Sequence, residues 1–270
     1  MKSKTVLITG ASSGIGEAFA HECANKGANL ILVARSQVGL AEVSKKIQEK
    51  YQVQVALIAM DLSVEGAAQE LFQQTKDKEL DVDILINNAG FGKWGRFEDF
   101  DLRTYKGMLQ LNINTLTELC YLYLGGMKIK RSGGIINVAS GAALMPVPYA
   151  GVYSASKSYV LNFSEALYNE LEETGVTVTC LCPSGTKTNF AAVANNEVSV
   201  DEKQYETAEH VAKVGLHGFL ANRSYVLSGK QKMLLSILPR FLSRSKLLKL
   251  SGKIFKKIVN NKKIGLMEGR

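Results

Sequence analysis

A doubly wound α/β fold, with one parallel sheet of about seven strands covered by helices on both faces, is what this chain of 270 residues predicts. Three observations lead there. Seven short apolar runs, at 5–9, 29–34, 53–59, 82–87, 133–139, 176–182 and 224–227, read as near-continuous hydrophobic segments, the pattern of strands buried on both faces. Helix-patterned stretches separate them, and a regular alternation of strand and helix implies parallel crossover units. A glycine-rich turn, with Gly10, Gly14 and Gly16, closes the first run and opens the first helix.

Taken in order, residues 5–9 form a strand that runs into the glycines, and residues 15–25 show helical patterning. In such a strand–turn–helix, Gly10 takes the tight turn, Gly14 lets the backbone approach a pyrophosphate, and Gly16 permits close helix–strand packing. The N–H groups at the helix start and the helix dipole favour an anion there. The second run ends at Ala34-Arg35-Ser36, where an acidic residue would bind the 2′-hydroxyl of NAD. With an arginine and no carboxylate, the position favours NADP, since a guanidinium grips a 2′-phosphate; a solvated strand-end arginine is the plainer reading. The third run is followed by Asp61, which either meets the adenine amino group or caps the next helix in Asp61-Leu-Ser63-Val-Glu.

The fourth run leads into Asn87-Asn88-Ala89-Gly90, a strand-ending turn, and the fifth into Ser140. Tyr153-x-x-x-Lys157 lies thirteen residues beyond Ser140. On a helix, i,i+4 spacing puts phenol and ammonium on one face. A unit charge about 4 Å away at an effective dielectric of about 20 is worth about 4 kcal/mol. That would lower the phenol pKa of about 10 by some 3 units. The expectation is a tyrosine brought towards neutrality as a general acid or base.

Residues Thr9–Gly16, Asn87–Gly90, Asn112, Ser140, Tyr153 and Lys157 together, in order and spacing, make the chain resemble the short-chain dehydrogenase/reductase family over roughly residues 3–228. The resemblance implies a single Rossmann-type domain that interconverts a carbonyl and an alcohol with NADP(H). It implies that Tyr153 exchanges the proton and Ser140 bonds the substrate oxygen. Lys157 would hold the nicotinamide ribose, and Asn112 would complete a proton relay through water; Asn114 is the nearby competitor. It further implies dinucleotide contacts from Gly10, Ser12, Ser13, Gly14, Ile15, Gly16, Arg35, Asp61, Asn88, Ala89 and Gly90. Tyr153, Lys157, Pro183, Thr186 and Thr188 would add to these, with Thr188 on the nicotinamide carboxamide. One departure is Ser184, where the family usually has glycine after proline; neighbouring Gly185 is expected to supply the lost backbone freedom. A homodimer is implied, through the helix carrying Asn112 and one running from Tyr153 to about Glu173. The segment between Thr188 and Thr207 is the expected cover of the substrate.

The remaining residues bound the reading. A chain with 46% hydrophobic residues and no internal linker buries one sizeable core. Cys23, Cys120, Cys180 and Cys182 fall in apolar or helical segments as inert thiols, and no metal is implied. The net charge of +8 is uneven, with +11 in residues 229–270 and −3 in residues 1–228. That extension carries Leu247, Leu250, Ile254 and Ile258 at helical spacing, flanked by Leu248, Phe255 and Val259, beside Lys246, Lys249, Lys253 and Lys257. A basic amphipathic helix over 240–260 is expected, set off by Pro239 from a shorter apolar segment at 233–238. It would lie on an anionic membrane surface or bury its apolar face on its own subunit or a partner. Nucleic acid is disfavoured, because interleaved aromatics and a binding-module motif are missing. No signal-peptide pattern and no run of eighteen uncharged apolar residues occur, so a cytoplasmic protein with peripheral membrane contact is expected. The carbonyl substrate is expected to be hydrophobic or lipid-like. The alternative is a nucleotide-sensing scaffold without turnover, which the complete Asn, Ser, Tyr and Lys set disfavours.

Overall fold

The computed structural model describes residues 1–190, 194, 205–229 and 241–265. Seven strands, β1 Thr5–Thr9, β2 Asn29–Ala34, β3 Val55–Ala59, β4 Ile84–Asn87, β5 Gly134–Val138, β6 Thr177–Cys182 and β7 Tyr225–Leu227, form one sheet. All neighbouring pairs are parallel, in the order β3-β2-β1-β4-β5-β6-β7. Each strand falls within its predicted run, with two residues trimmed from the starts of β3 and β4, one from the starts of β5, β6 and β7, and one from the end of β5.

Apolar strands need cover on both sides, and the helices supply it. Ile31, Leu7, Leu85, Ile135 and Val178 stand in register across five strands. They bury against α3 Ala67–Asp77, α5 Leu116–Lys130 and α6 Gly151–Glu170 through Leu71, Leu119, Tyr123, Val160 and Leu161. The alternate row, Leu32, Ile8, Ile86 and Ile136, faces α1 Gly14–Asn25, α2 Gln37–Lys50 and α7 Ala208–Leu220 through Phe19, Leu40, Val43, Val211 and Leu216. Each fully buried Leu, Ile or Phe contributes about 1.5–3 kcal/mol. This two-sided burial is why the strands carry no polar alternation.

Between β4 and β5 the chain runs through α4 Leu102–Leu109, a π-helical turn at Gln110–Thr115, and α5 without a break. All four cysteines are free and buried, and burial pushes the Cys23 and Cys120 thiols up to about 12.

The basic extension forms α8, Arg244–Gly265. It begins four residues later than expected, and its described apolar positions divide. Leu247 is 5% exposed and Ser251 donates to the Pro146 carbonyl at 2.9 Å, while the Phe255 ring meets Trp94 edge-on at 5.9 Å. Leu248 and Leu250 remain 47% and 42% exposed. The packed stripe therefore runs through Leu247, Ser251 and Phe255 onto the protein's own loops, and Leu250 lies off it. The side chains of Ile254, Lys257, Ile258 and Val259 lie outside the described residues, as do residues 233–239. Among the described residues, no helix is long and apolar enough to cross a membrane.

Candidate active site

The strand order reverses direction between β1 and β4, and the crevice beyond their carboxyl ends is where ligands of such sheets bind. Thr9 ends β1 and organises that crevice. Its Oγ1 accepts from the N–H groups of Asn88 and Ala89 at 3.0 and 2.9 Å, and donates to Ile86 O at 3.4 Å. Asn88 Nδ2 in turn donates to the Thr9 and Gly10 carbonyls at 2.9 and 3.2 Å. The Asn87–Gly90 turn and the glycine turn are thus one unit.

The glycines have separate reasons. Gly10 and Gly14 adopt φ of +66° and +60°, which side chains other than glycine's resist. At Gly16 the constraint is space, since a Cβ would sit 2.2 Å from the Gly10 carbonyl oxygen. Ser13 is the exposed N-cap of α1 and its side chain makes no cap bond; Ser12 and Ile15 are half-buried, with Ile15 packed on the core. The first-turn N–H groups of a helix have no intrahelical partner, so a backbone shaped this way fits a dinucleotide pyrophosphate. Arg35 is exposed just beyond β2. Asp61 caps neither α3, whose N-cap is Gly66, nor any other helix; its Oδ1 accepts from Ser63 N and Oγ at 2.9 and 2.7 Å. Burial raises its pKa, but the Ser63 bonds and the nearby Arg35 charge outweigh that and hold it below the usual carboxylate value.

Beyond β6, Pro183 O accepts from Gly141 N at 2.7 Å, tying this loop to the Ser140 turn. Thr188 reaches the glycine turn, its Cγ2 3.0 Å from where a Gly14 Cβ would lie. Thr186 is turned inward instead, donating to Ser184 O at 3.0 Å. The expectation for Gly185 fails. Neither Ser184 nor Gly185 has positive φ, so no lost freedom needs replacing. Gly185 is required by space, because a Cβ there would meet the Tyr205 ring at 2.2 Å, while Ser184 Oγ bonds Ser228 O at 2.8 Å.

The four predicted catalytic residues converge. Asn112 is fully buried in the π-helical turn, whereas Asn114 is exposed and bonds Gln110. Asn112 Nδ2 donates to Phe91 O at 3.0 Å and its Oδ1 accepts from Phe91 N at 3.2 Å. Lys157, on α6, donates to the Val138 carbonyl at 2.9 Å. Gly90 lies between the two, since a Cβ there would be 3.0 Å from Asn112 Oδ1 and 3.2 Å from Lys157 Nζ. Ser140 caps the 3₁₀ turn Gly141–Leu144, accepting from Ala142 N at 3.1 Å, and its hydroxyl is hydrogen-bonded with Tyr153. Tyr153 is 7% exposed within an apolar wall of Met108, Tyr105, Phe91 and Phe190.

One expectation reverses. Burial pushes the Tyr153 phenol up to about 12, and the opposing hydrogen bond to Ser140 does not overcome it. Lys157 Nζ is turned to Val138 O and lies 6.0 Å from the phenol ring centroid, so its charge does not offset the lost hydration. Burial also pushes Lys157 itself down to about 8. Tyr153 therefore keeps its proton across the neutral range.

Some supporting residues left no sequence signal of their own. Ser156 Oγ donates to Tyr153 O at 2.7 Å and accepts from Asn112 Nδ2 at 3.1 Å. Gly92 leaves room for the Tyr153 ring, which a Cβ would approach to 2.9 Å. Both lie beside predicted motifs, but only tertiary packing reveals what they touch.

Comparison with known proteins agrees with this geometry. The family model for short chain dehydrogenases matches residues 4–199. A rat very-long-chain 3-oxoacyl-CoA reductase is 30% identical over 241 residues, covering 87% of this chain and 76% of the relative. A very-long-chain 3-oxoacyl-CoA reductase-like protein of Arabidopsis thaliana is 33% identical over 219 residues, 78% and 70% of the two chains. Among solved structures, a short-chain dehydrogenase from Sphingobium yanoikuyae in complex with NADPH is 29% identical, with a TM-score of 0.78 over 83% of this chain and 87% of that one. With this sheet, this glycine turn and this set of side chains, the chain belongs to the short-chain dehydrogenase family and is an oxidoreductase.

Proposed function

We propose that the protein reduces a ketone on a hydrophobic, acyl-type substrate, using NADPH, with Tyr153 as the proton donor. When bound, the nicotinamide supplies the hydride. Tyr153, protonated and hydrogen-bonded with Ser140, delivers the proton to the carbonyl oxygen, and Ser140 polarises that oxygen. Lys157 and Asn112 flank Gly90 and orient the ribose side of the site. The carrying observation is the placement of Tyr153 in an apolar wall, with Met108, Phe91 and Phe190 positioned to exclude water from the reacting carbonyl. Arg35, exposed just beyond β2 where Ala34-Arg35-Ser36 carries no carboxylate, supports NADP over NAD, and the names of the two relatives support the 3-oxoacyl class.

Assay of NADPH oxidation with 3-oxoacyl thioesters, aliphatic ketones and sugars tests this reading. Turnover is expected to favour long 3-oxoacyl chains; turnover restricted to polar ketones would overturn it. We also propose a homodimer through α5 and α6, supported by exposed Tyr121 and Ile129 on α5 and Tyr159 on α6. Light scattering at micromolar concentration is expected to give twice the mass of the chain.

A further inference from the structure

The face of α8 that does not pack on the protein borders a cleft of about 650 Å³. One wall is α8, through Leu248, Lys249, Gly252, Lys253 and Lys256. The other is formed by residues 96–98 together with Pro148 and Tyr149. Four cations line it, Arg96, Lys249, Lys253 and Lys256, against one acid, Glu98, whose carboxylate lies 3.9 Å from Arg96. Its lining is otherwise largely apolar, and Phe97 stands 70% exposed at its edge. The volume lies in the range of small-ligand sites.

The cleft adjoins the catalytic centre through the chain. Tyr149 stands four positions before Tyr153, and the 96–98 wall continues from Gly92, which packs on the Tyr153 ring. The two walls are joined by Gly95 N–H donating to Tyr149 O at 2.8 Å. Tyr149 holds φ of +67°, a conformation that a bulky side chain rarely adopts. The glycine turn, Arg35 and Thr188 already serve the dinucleotide from other loops, so these four cations are not needed for its phosphates.

We propose that this cleft receives the phosphate groups of coenzyme A when the substrate is an acyl-coenzyme A thioester, with the acyl chain passing beneath α8 towards Tyr153. The inference rests on the acyl reading above and deepens it. The cations recognise the carrier by charge, and the apolar lining accepts the arm and chain that link it to the carbonyl.

Trp94 is the single tryptophan of the chain and touches Phe255 of α8, so its emission reports on the cleft independently of turnover. Free coenzyme A is expected to shift that emission in the parent. A Lys249→Gln/Lys253→Gln/Lys256→Gln variant, and separately Arg96→Gln on the opposite wall, should lose the response while binding NADPH as the parent does. In kinetics, the coenzyme A thioester of a 3-oxo acid should show a KM at least about tenfold below that of its uncharged N-acetylcysteamine thioester. That gap should close in the variants with kcat on the uncharged thioester unchanged. If neither thioester is reduced, the proposed function fails, and the emission arm still decides the cleft. An unmoved Trp94 emission, a KM gap that survives both variants, or a response to anionic phosphatidylserine vesicles but not to coenzyme A would overturn the proposal.

Discussion

Asn112 and Tyr153 are joined through a single hydroxyl: Ser156 Oγ accepts from Asn112 Nδ2 at 3.1 Å and donates to the Tyr153 carbonyl at 2.7 Å. The π-helical turn and α6 are thereby held in fixed relation at the point where both present side chains of the candidate active site. Ser156→Ala is expected to leave a buried amide proton unpaired and to destabilise the fold by about 1–3 kcal/mol. Turnover should fall about tenfold or more through misplacement, with NADPH affinity nearly unchanged. Denaturant unfolding and single-turnover kinetics check the two halves, and loss of cofactor affinity in step with turnover would point to a general collapse of the site.

Tyr153→Phe should keep NADPH binding while lowering turnover by roughly 10²–10⁴, the range associated with lost acid–base catalysis. The Tyr153 ring packs against Phe190, and the phenylalanine ring keeps that contact. Cofactor fluorescence titration beside steady-state rates measures both. A variant that reduced its substrate at the parental rate would remove Tyr153 from the chemistry.

Lys157 predicts opposite trends for stability and binding in mild alkali. Its folded pKa is depressed from 10.5 to about 8 by burial, so between those values the unfolded chain binds more protons and stability rises with pH. Tyr153, raised from 10 to about 12, contributes stability that is full below pH 10 and is lost as pH passes about 12, so it does not interfere below 10. Over pH 8–10 the parent should therefore gain stability relative to Lys157→Met while its affinity for NADPH declines. Urea titrations and cofactor titrations across that window test it; a flat difference between the two proteins would mean that Lys157 does not titrate there.

Arg35→Asp should move the cofactor preference from NADP towards NAD, by replacing a phosphate ligand with a carboxylate that accepts from a 2′-hydroxyl. It also removes the positive charge that helps keep Asp61 ionised, so the Asp61 pKa should rise in the variant. Affinities for both cofactors decide the first point. An unchanged ratio would show that Arg35 is only solvated.

The sheet was legible because its strands are apolar runs buried on both faces, a one-dimensional pattern that survives without coordinates. The convergence of Ser140, Tyr153 and Lys157 was legible because they stand at motif spacings. What the sequence concealed is tertiary. The rise of the Tyr153 pKa depends on where Lys157 Nζ turns, and it turns to Val138 O rather than to the phenol. The seat of Gly185 against Tyr205 joins residues twenty apart, and the packing of Phe255 on Trp94 joins far more distant ones. The periodicity read in 240–260 falls on a segment that is helical from Arg244, but it did not show that Leu247 would be covered and Leu250 left open.

The π-helical turn at Gln110–Thr115 sets a rule about chain length rather than residue type. A π turn carries one residue more than an α turn, so removing any one residue here would let Leu102 to Lys130 become a regular α-helix. The wider turn absorbs that residue, so the two flanking halves would keep their relative facing and the loss would fall on the turn itself. Asn112, inside the turn, would lose its seat against Phe91 and Ser156, while Leu119 and Tyr123 would stay on the sheet. Substitutions in this segment can be absorbed one side chain at a time, but a single-codon deletion removes the widened turn that aims Asn112.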